Sequence, residues 1–168
     1  TRTSHLLHYL AALKLGHVVM LADPALPSAQ HQASCQQFEA NYWVNETGEL
    51  LRLRAVELPL HPELAVLLPT SGSTGCSKWV RLSGRNLAAN ASSISEYLTL
   101  TAAERAITSL PLYYSYGLSV LNSHLLVGAS LVLSEESVLE RAFWQQAAQH
   151  DVTSCAGVPF TYQMLARL

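Results

Sequence analysis

Charge is scarce. Acidic and basic residues fill 13% of the 168 positions, and Lys+Arg 10 against Asp+Glu 12 leave a formal charge of -2. That balance offers no broad basic field to nucleic acid or to an anionic membrane, so any anion site must be local. Cysteine is scarce too: Cys35, Cys76 and Cys155 show no CxxC spacing that would indicate a zinc site or a redox pair, and a reducing cytoplasm is the expected compartment. No run approaches the ~18 consecutive apolar residues of a membrane span, and the opening TRTSHLLHYL lacks the order of a cleavable signal. A GxSxG elbow, an internal repeat and a low-complexity linker are also missing.

Core material is abundant. Hydrophobic residues make up 49% of the chain, enough for one ordinary domain or a piece of a larger one, with some apolar surface expected to meet further protein. Leu6, Leu7, Leu10, Leu13 and Leu15 have helical spacing, with Ser4 as N-cap and Gly16 as the stop. Residues 17–22 form a β-branched run closed by Asp23-Pro24, Ser28 to Glu39 reads as an exposed helix, and NYWV and LLRLR flank Glu46-Thr47-Gly48 as a hairpin. Leu64 to Leu68 is an apolar strand, KWVRL a second, and a helix follows from Ser83 to about Tyr97. RAITSLPL, ASLVLS and VTSCAG then read as strands, with helices over YGLSVLNSHLLVG, Val138–His150 and from Pro159 to an uncapped end at Leu168 that suggests truncation. Regular alternation of this kind predicts a layered α/β fold with a mostly parallel sheet flanked by helices.

The loop between the two central strands reads TSGSTGCSK. Gly72 and Gly75 relieve the backbone so that successive N–H groups can converge on an anion, Thr70, Ser71, Ser73 and Thr74 add hydroxyls, and Lys78 brings a charge that suits a polyphosphate. A Walker loop requires glycine directly before the lysine and Ser or Thr directly after it, with the lysine opening a helix; here Ser77 and Trp79 hold those places and a strand follows. The dinucleotide fingerprint GxGxxG fails as well, since residues 72–77 read GSTGCS. An incidental Gly/Ser/Thr loop is the bland alternative.

After an apolar strand, TSGSTGxxK resembles the phosphate loop of the adenylate-forming (AMP-binding) superfamily, which includes acyl-CoA synthetases, luciferases and nonribosomal adenylation domains. LKLGHVVMLADP at 13–24, LPLYYSYGL at 110–118, LLVGASLVL at 125–133 and AGVPFTYQML at 156–165 resemble further family segments in the expected order. The resemblance implies that residues 1–168 are part of the large N-terminal domain of an acyl-CoA synthetase-like ligase, whose C-terminal parts lie beyond this sequence. It implies that Thr70, Ser71, Gly72, Ser73, Thr74, Gly75 and Lys78 hold the ATP β- and γ-phosphates, with Thr70 near Mg²⁺. It also implies that Tyr113, Tyr114, Ser115 and Gly117 border the acyl and adenylate pocket. The reaction would join a carboxylate to AMP with release of pyrophosphate, and a CoA or carrier-protein thiol would then accept the acyl group.

Two residues depart from the family's usual PKG: Ser77 frees φ where proline would fix it, and Trp79 puts bulk where glycine is usual, so altered or weakened ATP handling is expected. Amino-acid-activating relatives carry an Asp near Tyr113-Tyr114-Ser115, and no acid stands there, which favours a small carboxylic acid without an α-amine. The expected partners are that acid and the rest of the adenylation enzyme. The fragment alone is expected to be inactive, because the family's adenine-binding segment and C-terminal lysine domain are not in this sequence. The alternative is a non-catalytic binding or scaffold module that keeps the fold without ATP chemistry. His5 with His8, and His31 with Cys35, have helical spacing but lack the further ligands of a metal site. His17, His61, His124 and His150 read as packing or surface residues, and Glu135-Glu136 as a solvated pair.

Overall fold

The structure, a computed structural model, describes residues 3–56, 58–70 and 78–167. These fall into two compact units, one ending at Gly84 and one beginning at Arg85. The first unit runs α1 (Thr3–Lys14), β1 (Val19–Met20), α2 (Ser28–Gln37), β2 (Tyr42–Val44), β3 (Leu50–Arg52), β4 (Leu64–Pro69) and β5 (Trp79–Ser83). Its main sheet has the order β1-β4-β5, with β1 parallel and β5 antiparallel to β4. The antiparallel pairing follows from the short connection, because parallel neighbours need a crossover of a dozen or more residues. Val66, Leu67 and Leu68 are buried in succession, which explains why β4 reads as a continuous apolar run.

Helix α1 stops where its sequence says it should. Gly16 takes φ 76°, its N–H donates to the Leu13 carbonyl at 3.1 Å, and the His17 N–H donates to the Ala12 carbonyl at 2.8 Å. This is a Schellman motif, in which glycine adopts the left-handed conformation without a Cβ penalty. His5 and His8 lie on the helix face that meets the β2–β3 hairpin, where their Nε2 atoms donate to the Asn45 and Gly48 carbonyls at 2.9 and 3.0 Å. The two imidazoles therefore dock a helix on a turn.

The second unit runs α3 (Gly84–Tyr97), β6 (Arg105–Ile107), α4 (Ser115–Leu126), β7 (Ser130–Val132), α5 (Arg141–Gln149), β8 (Ser154–Cys155) and α6 (Pro159–Leu165). Its three strands are parallel in the order β7-β6-β8, and α4 lies against β6 and β7. Ala106, Ile107, Leu118, Leu121, Ala129 and Phe143 make the core. The buried Ser95 hydroxyl lies within hydrogen-bonding distance of the Ala91 carbonyl, 2.8 Å, and of the Ser123 carbonyl, 3.1 Å, tying α3 to α4. His124 is buried, with Nδ1 2.8 Å from the Val120 carbonyl, a packing role in keeping with its apolar setting.

Strands β1, β7 and β8 are shorter than their apolar runs, the expected N-cap Ser4 lies inside α1, and two further boundaries differ for local reasons. The strand expected through residue 112 ends at Ile107, because Pro111 and the Tyr114 N–H to Pro111 carbonyl bond turn the chain into α4. The helix expected from Val138 begins at Arg141. Ser137 and Glu140 bond each other's backbone instead, the Ser137 N–H donating to the Glu140 carboxylate and the Glu140 N–H to the Ser137 carbonyl, which fixes a turn ahead of the helix.

Candidate functional site

The first cluster of candidate residues sits where β4 ends and β5 begins. Pro69 pairs with Trp79, and one step further out the Thr70 N–H donates to the Lys78 carbonyl at 2.8 Å. The Thr70 hydroxyl donates to the same carbonyl at 3.2 Å. Residues eight positions apart are thereby brought face to face, with the segment 71–77 between them in sequence. Ser71, Gly72, Ser73, Thr74 and Gly75 lie in that segment, outside the described residues, as do Cys76 and Ser77.

The hydrogen bonding of Thr70 constrains what it can bind. Its only proton points at the Lys78 carbonyl, so its oxygen lone pairs remain for a hard cation or for a donor such as metal-bound water. Thr70 thus fits Mg²⁺ better than it fits a phosphate oxygen. Lys78 is exposed at the start of β5, leaving its ammonium free to meet an anion in solution. Trp79 next to it is half-buried with its ring edge-on to Phe38, centroids 5.6 Å apart, so its bulk has a seat within this unit.

The second cluster is the first turn of α4. Tyr114 is the N-cap, extended at φ -97° and ψ 135°, and is 47% exposed; Tyr113 before it is half-buried and Ser115 after it is exposed. Gly117 is buried for a definite reason. A Cβ there would run into the Pro111 carbonyl oxygen and sit 2.8 Å from that of Leu110, so only glycine lets the 110–111 backbone cross the helix this closely. That crossing holds the tyrosines at the helix start, beside a shallow, mostly apolar concavity lined in part by Ser109, Gly117, Val120 and Ala156. The structure brings Thr70 and Lys78 together in one unit, and Tyr113, Tyr114, Ser115 and Gly117 in the other.

Among the described residues no cluster of three or more His, Cys, Asp or Glu side chains forms a metal site. Burial raises the thiol pKa of Cys35, and burial also raises that of Cys155, partly offset by a hydrogen bond with Ser109. Both thiols are therefore poor nucleophiles at neutral pH. The carboxyl of Glu136 is raised by a hydrogen bond with Glu140 and by repulsion from Glu140, on a fully exposed surface.

Residues 52–168 match the AMP-binding enzyme family. The chain belongs to that family. AMP-binding enzymes that it resembles include a sulfoacetate–CoA ligase of Cupriavidus necator, 40% identical over 95 residues that cover 56% of this chain and 19% of that protein. An oxalate–CoA ligase of Arabidopsis thaliana is 32% identical over 114 residues, 66% of this chain and 22% of that protein. An L-proline–[L-prolyl-carrier protein] ligase of Pseudomonas fluorescens is 31% identical over 149 residues, 86% of this chain and 29% of that protein. The fold is also that of solved family members. o-Succinylbenzoate CoA synthetase from Bacillus subtilis, in complex with an acyl-adenylate intermediate, superposes with a TM-score of 0.79 at 20% identity, over 99% of this chain and 49% of that one. ATP-bound MatB from Rhodopseudomonas palustris gives 0.80 at 21% identity, over 100% and 39%. The chain spans less than a third of the length of these curated relatives. No described helix is long and apolar enough to cross a membrane.

Phe38 carries no motif and gave no functional signal in the sequence. Its position seven residues after His31, on one face with Ser34 and Cys35, is the trace that could have marked it as the inward end of α2.

Proposed function

We propose that this chain is the phosphate-loop portion of the large N-terminal domain of a ligase that activates a small carboxylic acid lacking an α-amine. The acid becomes an acyl-adenylate and then a thioester of CoA or of a carrier protein. The observation that carries the proposal is the hairpin closure at Thr70 and Lys78, which delivers a hydroxyl with free lone pairs and an exposed ammonium to the two ends of TSGSTGCSK. Residues 71–75 with Lys78 would bind the β- and γ-phosphates of ATP, and Thr70 beside them would hold Mg²⁺ or its water. Mg²⁺, when bound, neutralises phosphate charge.

In the reaction a carboxylate oxygen attacks the α-phosphorus and the bond to pyrophosphate breaks. Negative charge builds on the departing phosphates, and Lys78 offsets it as a point charge already in place. Tyr113, Tyr114, Ser115 and Gly117 would shape the wall beside the acyl group, with Gly117 holding the turn that presents the tyrosines. The absence of Asp or Glu from residues 110–118 supports an acid without an amine, as do the two CoA-ligase relatives; the prolyl ligase makes an amino acid the necessary control.

The test is pyrophosphate release and hydroxamate trapping by the full-length protein with a panel of short aliphatic, dicarboxylic, sulfonated and aryl acids, and proline. Turnover with one of the amine-free acids is expected. Turnover with proline alone would overturn the substrate class, and silence across the panel would favour the scaffold alternative.

A further inference from the structure

The ring of Trp79 has a specific partner in this structure. Its indole meets Phe38 edge-on, with the planes 73° apart and the centroids separated by 5.6 Å, inside the favourable range for aromatic pairs. Phe38 is the C-cap of α2, its N–H bonded to the Ser34 carbonyl at 3.0 Å. Helix α2, SAQHQASCQQ, has almost no apolar side chain of its own to bury. It is pinned at its first half by His31, which bonds the Asp23 carbonyl at 2.8 Å and packs 5.2 Å from Trp43. Beyond its last turn the pin is Phe38 on Trp79.

On the hairpin, Trp79 stands opposite Pro69 in a pair that exchanges no hydrogen bond, because such pairs alternate with bonded ones in an antiparallel ladder and the next pair, Thr70–Lys78, is bonded. At such a rung side-chain packing carries the contact. With Ser at position 77, the loop also lacks the proline that would stiffen it from within.

We propose that Trp79 is a positioning residue: seated on Phe38, it fixes the start of β5 and thereby the place from which Lys78 presents its ammonium to a polyphosphate. The inference rests on the phosphate-binding reading of Lys78. It assigns the restraint to an aromatic contact outside the loop.

The experiment is calorimetric titration of ATP into the full chain and its variants, with melting temperatures measured in parallel. Trp79→Ala and Phe38→Ala are each expected to weaken ATP binding about fivefold, the size of one aromatic pair, and the double variant no further than about twofold beyond either. Trp79→Phe, which keeps an edge for Phe38, is expected to restore binding to within about twofold of the original. If the Ala variants lower the melting temperature but bind ATP as the unaltered chain does, while Lys78→Ala weakens binding, the contact is merely structural and the inference is overturned with the phosphate site intact. If Lys78→Ala binds as well as the unaltered chain, or the unaltered chain binds no ATP, the phosphate reading itself fails and the inference with it. Should either Ala variant fail to fold, Phe38→Leu and Trp79→Leu carry the same comparison, since they keep apolar volume and lose the ring edge.

Discussion

Gly117 and Thr99 are held by two different backbone constraints, close approach at one and a left-handed φ at the other. At Gly117 a methyl group has nowhere to go, so Gly117→Ala is expected to cost roughly 1–3 kcal/mol in a urea melt, as overpacking does. At Thr99 a β-branched residue is held at φ 51°, ending α3 with the Leu100 N–H on the Ser95 carbonyl at 2.9 Å. Glycine accepts that conformation freely, and Thr99→Gly is expected to raise stability by about 0.5–1 kcal/mol despite the extra chain entropy it brings to the unfolded state. Cys35 and Cys155, with thiol pKa raised chiefly by burial, are expected to alkylate more slowly at pH 8 than in the urea-unfolded chain. The sign for stability follows. The unfolded thiols lose their protons first, so the contribution is complete below the ordinary thiol range and is lost as pH rises through and above it.

At the scale of elements, the helices divide by what stops them. Gly16 was legible as a stop because its residue type names the left-handed conformation that it adopts, as Gly128 also does two residues beyond α4. Glu39, Thr99 and Asp151 end α2, α3 and α5 in that same conformation and gave no such notice, since the capping hydrogen bonds impose it on side chains that do not prefer it. The alternation of strands and helices was likewise legible, because periodic apolar residues record which face is buried. Strand ends at Ile107 and the delayed start of α5 were not, since a local bond network around Pro111 or Ser137 decided them. Phe143 anchors α5 with no exposed surface. Phe143→Ala is expected to cost about 3–5 kcal/mol, and a loss below about 1 kcal/mol would show that the helix does not depend on that contact.

For the molecule as a whole, the sequence disclosed the family through short motifs whose order along the chain matches the fold. TSGSTGCSK stood out because the proposed phosphate site needs glycines, hydroxyls and a lysine close together. The partnership of Trp79 with Phe38 was not, because 41 positions separate the two and only folding brings them together. The same limit applies to the helix-to-hairpin docking by His5 and His8, where a pair spaced like metal ligands serves two backbone carbonyls instead.

The central claim is that the hairpin closed by Thr70 and Lys78 carries a nucleotide-phosphate site. ATP binding to the chain and to its Lys78→Ala variant tests this most directly. One charge-assisted contact to phosphate corresponds to a Kd about 10- to 100-fold weaker in the variant, with the melting temperature of the free protein unchanged because Lys78 is exposed. Equal affinity in the two proteins would contradict the account.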